Sequence, residues 1–339
     1  MNNDSNKNHI NIGLIGIGKI GRIHILSANE LHNTKFIAVY HPDMIKAERF
    51  ADTYNVEKIY DDLDEFLALR EIDAVDICTP THTHYEFIET CIKSNKPILV
   101  EKPITRTLEE FDHVVELINR DKNKLMVAQY CRFIPEYKMA RKIINQGKIG
   151  TPINIKAHRY VNAPTYKNWF FNEKLSGGII LDLLIHDIDA VIWILGDEIE
   201  SIYSCVNNFN LKEFDTPDFA SIVIKFNQGT IASINGAWIL PKNHYTPNSI
   251  DSMLEIFGNK GIIEINDRND SKMKLFNIKQ GFQLMSTDPL KIYKAEIAHF
   301  SNCLLKNKSF KMDFKSIRLS LEACLKAIES YKKSEPIKI

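Results

Sequence analysis

The densest chemistry in the chain lies in Gly177-Gly178-Ile179-Ile180-Leu181-Asp182-Leu183-Leu184-Ile185-His186-Asp187-Ile188-Asp189. Read as a helix, it sets Asp182, His186 and Asp189 at i, i+4 and i+7, on one face. Asp182 can accept from one ring nitrogen of His186 and leave the other to move a proton. The remaining sides are apolar, so the stripe is buried and must be satisfied. It is either a proton-transfer pair or a polar network that orders the core. Gly177 and Gly178 would let another chain or a ligand come close to the helix start. A second reactive group is Lys102, in Glu101-Lys102-Pro103 after the apolar run 98–100. Its ammonium can hold a hydroxyl and stabilise a developing alkoxide; the plain alternative is a surface lysine paired with Glu101. Asp182 and His186 lack an evident third metal ligand, and His82 and His84 read as part of a loop, so no metal is expected.

Gly16-Ile17-Gly18-Lys19-Ile20-Gly21 fits G-x-G-x-x-G, follows the apolar run 12–15 and opens a helical segment, the setting in which this pattern binds a dinucleotide. Gly16 permits the tight turn, Gly18 lets backbone approach a pyrophosphate, and Gly21 lets helix pack on strand. The helix start, with Lys19 and Ile20, supplies N–H groups to the phosphates. The acid that usually holds the ribose diol is replaced by His41, with Asp43 two residues later and no Arg at that spot to meet a 2′-phosphate. NAD is the expected cofactor, with NADP the alternative. Thr79, Pro80 and His84 would line the nicotinamide side. Trp169, Trp238, Tyr160, Tyr166 and Tyr245 supply candidate sugar-stacking rings.

These groups need elements to position them. Apolar runs at 12–15, 36–40, 74–78, 98–100 and 125–128 alternate with helix-period segments such as 83–93 and 107–118. Continuous apolar strands separated by helices give a parallel sheet buried on both faces, a doubly wound α/β Rossmann domain over 10–131. Residues 1–9 read as a disordered lead. Beyond Gly150 the texture changes. A long apolar helix over 179–195 stops at Gly196, and period-two segments follow at 220–226, 232–238, 253–257 and 262–265, separated by turn signals. Two helical patterns close the chain, the second with Ile317, Leu321, Cys324, Leu325, Ile328 and Tyr331 on one stripe. The second domain, over 132–339, is therefore expected to be α+β, an open and mostly antiparallel sheet with helices on one side. Its other, half-apolar face should be covered by another copy, as a homodimer or homotetramer.

Composition narrows the partners. The 339 residues carry 43 Lys+Arg against 43 Asp+Glu, so no global field attracts nucleic acid or an anionic membrane. Asp182, His186, Asp187 and Asp189 interrupt the most apolar stretch, which argues against a membrane span. The polar N-terminus lacks the apolar core of a signal peptide, and six cysteines without a CxxC pair suggest reduced thiols. A cytoplasmic protein acting on a small molecule is expected.

In order, Gly16–Gly21, Thr79-Pro80 with His84, Glu101-Lys102-Pro103, Arg132-Phe133, Gly147-Lys148-Ile149-Gly150, and Gly177-Gly178 with Asp182 and His186 resemble the glucose–fructose oxidoreductase/inositol dehydrogenase (Gfo/Idh/MocA) family. The resemblance runs from Ile12 to about Ser330, and is strongest to the inositol dehydrogenase branch. It implies an NAD(P)-dependent oxidoreductase acting on a secondary hydroxyl of a cyclic polyol or sugar, inositols first. By position it makes Lys102, Asp182 and His186 catalytic, adds Glu101 and Lys102 to the cofactor contacts, and adds Tyr130, Asn162 and Trp169 to the substrate contacts. His41, and Tyr130-Cys131, depart from the family pattern. Two rivals remain: a relative that cleaves glycosides through transient oxidation, and a silent dinucleotide sensor. Retention of all three catalytic residues argues against the sensor.

Overall fold

The computed structural model describes residues 8–164, 168–214, 216–241, 250–266, 273–285, 292–310 and 312–339. The expected disordered lead lies outside these residues except for 8 and 9, which are exposed and irregular. By its contacts the chain divides into two compact units, Met1–Tyr130 with Leu290–Phe314, and Cys131–Pro289 with Lys315–Ile339.

Unit 1 begins β1(Ile10–Ile15), α1(Lys19–Ala28), β2(Thr34–Tyr40), α2(Met44–Tyr54), β3(Lys58–Tyr60), α3(Leu63–Ala68), β4(Ala74–Ile77), α4(His84–Lys93), β5(Ile98–Glu101), α5(Leu108–Asp121) and β6(Leu125–Ala128). Its sheet is parallel in the order β3-β2-β1-β4-β5-β6, the doubly wound arrangement expected from the apolar runs. Strands β4, β5 and β6 are buried throughout. Helix starts follow local chemistry: the side chains of Asp43, Asp62 and Thr107 accept N–H groups three residues on, at Lys46, Glu65 and Glu110, which satisfies donors the helix leaves over. The order reverses between β1 and β4, so the loops after β1, β4 and β5 surround the crevice where such sheets bind ligands.

From sequence the second domain runs unbroken over 132–339, whereas residues 290–314 return to unit 1. Helix α9(Ile292–Leu305) packs on α1 and β1. Thr34 donates to Ser301 at 2.8 Å, Asn33 donates to Asn302 at 3.1 Å, and Phe111 meets Phe314 edge-on. Hydrophobic period identifies such a helix but not the sheet it covers.

Unit 2 contains α6(Pro135–Asn145), β7(Pro152–Val161), α7(Glu173–Ser176), α8(Ile185–Leu195), β8(Ile199–Asn207), β9(Phe219–Phe226), β10(Ile231–Ala237), β11(Ile250–Gly258), β12(Gly261–Asn266), β13(Met273–Asn277), β14(Gly281–Met285), α10(Phe314–Lys333) and β15(Ile337–Lys338), with only the first residue of α10 assigned to unit 1. Among the described residues its sheet runs β14-β13-β12-β11-β7-β10-β9-β8-β15. Only the β7–β10 pair is parallel, so the sheet is mostly antiparallel, as expected. Helix α8 packs on β7 and β10, and α10 ties to β8 where Ser204 donates to the Ala327 carbonyl at 2.5 Å. Among the described residues no helix is long and apolar enough to cross a membrane.

Candidate active site

The turn after β1 fits a dinucleotide. Gly16 has φ +104°, and a Cβ there would stand 2.6 Å from the Cys78 backbone; a Cβ at Gly21 would stand 2.3 Å from the Gly16 carbonyl oxygen. Gly18, by contrast, has φ −80° and ψ −165°, a conformation open to any residue, so its backbone gives no reason for glycine. Close approach of a bound group does. Helix α1 begins with no side-chain cap and no acid in its first turn. Its ladder opens with Arg22 N–H donating to Gly18 at 3.1 Å, which leaves the N–H groups of Lys19, Ile20 and Gly21 outside it for phosphate oxygens.

At the end of β2, His41 Nδ1 accepts the Asp43 N–H at 2.9 Å. A neutral ring in that role carries its proton on Nε2 and offers a donor where an acid would offer acceptors. Asp43 is committed elsewhere: its carboxylate accepts the Lys46 N–H at 3.1 Å and pairs with Lys46 Nζ at 2.6 Å. Thr79 and Pro80 lie half-buried in the loop after β4. His84 is buried, with Nδ1 2.8 Å from the Pro103 carbonyl and Nε2 2.9 Å from that of Thr79. Its ring braces the loops after β4 and β5, and these contacts leave neither nitrogen aimed at a metal. Lys102 is half-buried, and the Glu101 carboxylate accepts the Lys102 backbone N–H at 3.1 Å. Tyr130 packs on Tyr293, ring centroids 5.6 Å apart.

In unit 2 the apolar helix departs from its expected form. Residues Ile180–Leu184 are wound as a π-helix, and α8 continues to the left-handed Gly196. Single π turns of this kind recur at functional sites. Every residue from 178 to 192 is buried except Asp182, which is half-open, and His186 follows at 8% exposure. Asp189 does not continue a catalytic stripe. Its carboxylate accepts from Arg132 at 2.6 and 2.9 Å and from Ser320 at 2.9 Å. Asp187 takes Arg159 in the same two-pronged way at 2.7 and 3.0 Å. Gly177, expected to leave room for a ligand, has φ +78° and caps α7; a Cβ there would stand 2.4 Å from Leu181, so the turn itself demands glycine.

The candidate rings separate. Trp238 is buried edge-on against Phe171, in the core. Tyr160 stacks on His158; strand alternation puts both on the face of the sheet opposite Arg159. Trp169 is half-buried and stacks on Phe170 at 4.0 Å, and Asn162 donates to the Leu240 carbonyl. Tyr166 and Tyr245 fall outside the described residues. Lys102 and Tyr130 thus belong to unit 1, and Asn162, Trp169, Asp182 and His186 to unit 2. Sequence reasoning missed the arginine partners Arg132 and Arg159, and also His24, Asp76 and Glu296 in unit 1. The signal for Asp76 was an acid inside an otherwise apolar run.

A parallel sheet with this glycine turn defines a dinucleotide-binding protein. The family model for the oxidoreductase family with an NAD-binding Rossmann fold matches residues 10–129, and that for the GFO/IDH/MocA C-terminal domain matches residues 137–264. Inositol 2-dehydrogenase of Rhizobium meliloti is 31% identical over 258 residues, 75% of this chain and 74% of that protein. The scyllo-inositol 2-dehydrogenase (NAD(+)) of Bacillus subtilis is 28% identical over 342 residues, 98% and 97% of the two chains. In fold, scyllo-inositol dehydrogenase from Lactobacillus casei matches with TM-score 0.82 at 23% identity over 97% of this chain and 99% of that one, and levoglucosan dehydrogenase with TM-score 0.87 at 21% over 98% and 99%. The chain belongs to the Gfo/Idh/MocA family of oxidoreductases, with an NAD-binding Rossmann domain.

Proposed function

We propose that this protein is an NAD-dependent dehydrogenase that oxidises a secondary hydroxyl of a cyclic polyol or sugar, with inositols the first candidates. The observation that carries the reading is the helix of unit 2, in which Asp182 alone opens from a buried run and His186 follows one turn later. The inositol dehydrogenases that align with the chain support the substrate class. His186 takes the proton of the hydroxyl, Asp182 orients the ring and balances its charge, and Lys102 holds the reacting oxygen as negative charge develops. Bound nicotinamide would accept the hydride. Gly16, Gly18, Lys19, Ile20 and Gly21 hold the phosphates, His41 faces the ribose, and Thr79, Pro80, His84 and Glu101 shape the nicotinamide end. Tyr130, Asn162 and Trp169 contact substrate. The six cysteines are all free thiols, and all but Cys205 are buried, which fits a reducing cytoplasm.

A screen of inositols, other cyclic polyols and sugars with NAD and with NADP, read by reduced-nicotinamide absorbance, tests this. Reduction of NAD by at least one cyclic polyol is expected. Failure with every polyol, or glycoside cleavage without net NADH, would refute it.

The outer face of the second sheet supports self-association. Ile231, Asn154, Phe257, Ile262, Phe276 and Phe282 pair in register across six adjacent strands. Ile231, Ile262, Phe276 and Phe282 are 43%, 36%, 46% and 61% exposed. Such a row of exposed apolar side chains, interrupted by Asn154, calls for cover on one subunit, and a second copy supplies it as a homodimer or homotetramer. Light scattering at micromolar concentration should give a multiple of the chain mass, and Phe276→Lys should reduce it. A monomeric parent would defeat this.

A further inference from the structure

Behind Lys102, unit 1 holds a set of ionisable side chains for which hydride transfer has no use. His24 on α1, Asp76 in β4 and Glu296 on α9 have no exposed surface, and Cys78 and Glu101 are 9% and 7% exposed. His24 Nδ1 stands 2.7 Å from Asp76 Oδ2, and its Nε2 stands 3.5 Å from Glu101 Oε1. Cys78 Sγ lies 3.5 Å from His24 Nδ1 and 3.5 Å from Asp76 Oδ1. Burial opposes charge on His24, but Cys78 and Asp76 beside it outweigh that and hold the ring's pKa well above the ordinary range. Burial also drives the Cys78 thiol far upward. The sulfur therefore stays protonated, and Asp76 is the counter-ion that matters. Nδ1 of the ring is directed at Asp76, and Nε2 faces Glu101 at 3.5 Å without a hydrogen bond. Burial, reinforced by Glu101, likewise pushes Glu296 well above the carboxylate range.

Glu101 gives this arrangement its consequence. One carboxylate oxygen faces His24 on α1, and the other accepts the backbone N–H of Lys102 at 3.1 Å. On the far side of Lys102, the Pro103 carbonyl is held by His84. Lys102 is therefore flanked by two residues against which buried histidines stand, Pro103 within hydrogen-bond distance of His84 and Glu101 at 3.5 Å from His24. The ligand atoms of His24, Asp76 and Cys78 lie within 4.8 Å of one another, close enough to share a metal ion. A hydrogen bond from His24 to Asp76 and a protonated thiol account for the same distances without one.

We propose that His24 is a positioning residue for Lys102: through Glu101 it fixes the Lys102 backbone to helix α1, whose N-terminus takes the cofactor phosphates. This rests on the reading of Lys102 as the group that holds the reacting oxygen. The link ties the strand-end lysine to the helix that carries the dinucleotide, so the ammonium keeps its place relative to the nicotinamide.

The test compares His24→Gln and Lys102→Met, singly and together, in the full-length enzyme with NAD and the best substrate of the screen. NADH affinity is measured by calorimetry and folding by thermal unfolding. His24→Gln should bind NADH nearly as the parent does, yet lose about 10²-fold in kcat, the scale of a misplaced reacting group. Coupled residues are non-additive, so adding His24→Gln to Lys102→Met should cost little more. A loss that multiplies undiminished in the Lys102→Met background, or parental turnover in a folded His24→Gln enzyme, overturns the proposal. Parental turnover in Lys102→Met instead removes the reading beneath it. Should His24→Gln fail to fold, Glu101→Gln cuts the same link while keeping an acceptor for the Lys102 N–H. It should reproduce the loss of kcat, and normal turnover there is equally fatal. One divalent ion per purified chain, lost in Cys78→Ser, would replace positioning by coordination and overturn the proposal as well.

Discussion

His186→Ala should lower kcat with the best polyol by about 10²- to 10⁴-fold, the range typical of a positioned acid–base group. The acids of α8 itself cannot take over the role, because they are bound to arginines: Asp187 to Arg159 and Asp189 to Arg132. Asp182→Asn should also lose turnover, by less. It should in addition shift the rise of rate with pH downward, since a neutral amide no longer favours the protonated ring. Lys102→Met should weaken substrate binding and turnover together, because its charge acts on the oxygen both before and during reaction. Steady-state kinetics across pH, with NADH binding as a check on folding, decides. Near-parental turnover in His186→Ala, with an unmoved pH profile in Asp182→Asn, would return both residues to a purely structural role.

Asp189→Ala should destabilise unit 2 by about 3–5 kcal/mol, the usual cost of leaving one member of a buried ion pair alone. Arg132 is 4% exposed and Asp189 0%. Without the carboxylate, the guanidinium keeps only Ser316 among the partners it has in this cluster, at 3.0 Å. Neither side can relax into water without opening the packing of α8. An exposed pair such as Lys225–Glu200 should be nearly silent when Glu200 is replaced. Urea unfolding of the two variants against the parent makes the comparison. A loss below about 1 kcal/mol for Asp189→Ala would show that Arg132 finds another partner.

Much of unit 1 was legible because its chemistry is local. Strands β1, β4, β5 and β6 are buried on both faces, so they read as continuous apolar runs, and the glycine turn, Thr79-Pro80 and Glu101-Lys102 are written directly after them. Strand β3 escaped because its three residues are all half-buried and carry no period. Strand β7 escaped for a different reason. Arg159 occupies an inward position in an otherwise alternating segment, and it is tolerable there only because Asp187, distant in sequence, meets it. The same holds for Asp189. The spacing that put it on one face with Asp182 and His186 could not reveal Arg132 and Ser320, which arrive from two other elements. The π turn was equally hidden, since it changes backbone winding without changing which residues are apolar. In His24 and Asp76 the signal was present but outvoted: one charged group inside an apolar run counts little toward period and a great deal toward chemistry.

The return of α9 to unit 1 has a consequence for how the chain is made. On the ribosome, β1 to β6 and their helices emerge first, but the helix that covers α1 and β1 follows only after the whole second sheet except its last strand has been translated. At about 5–20 residues per second the nascent unit waits on the order of ten seconds with that flank uncovered. Its buried His24 and Asp76 are then open on the side that Glu296 later closes. A fragment cut after β6 would stay in this unfinished state for good. To be expressed alone, the dinucleotide-binding half would need residues 290–314 spliced back onto it.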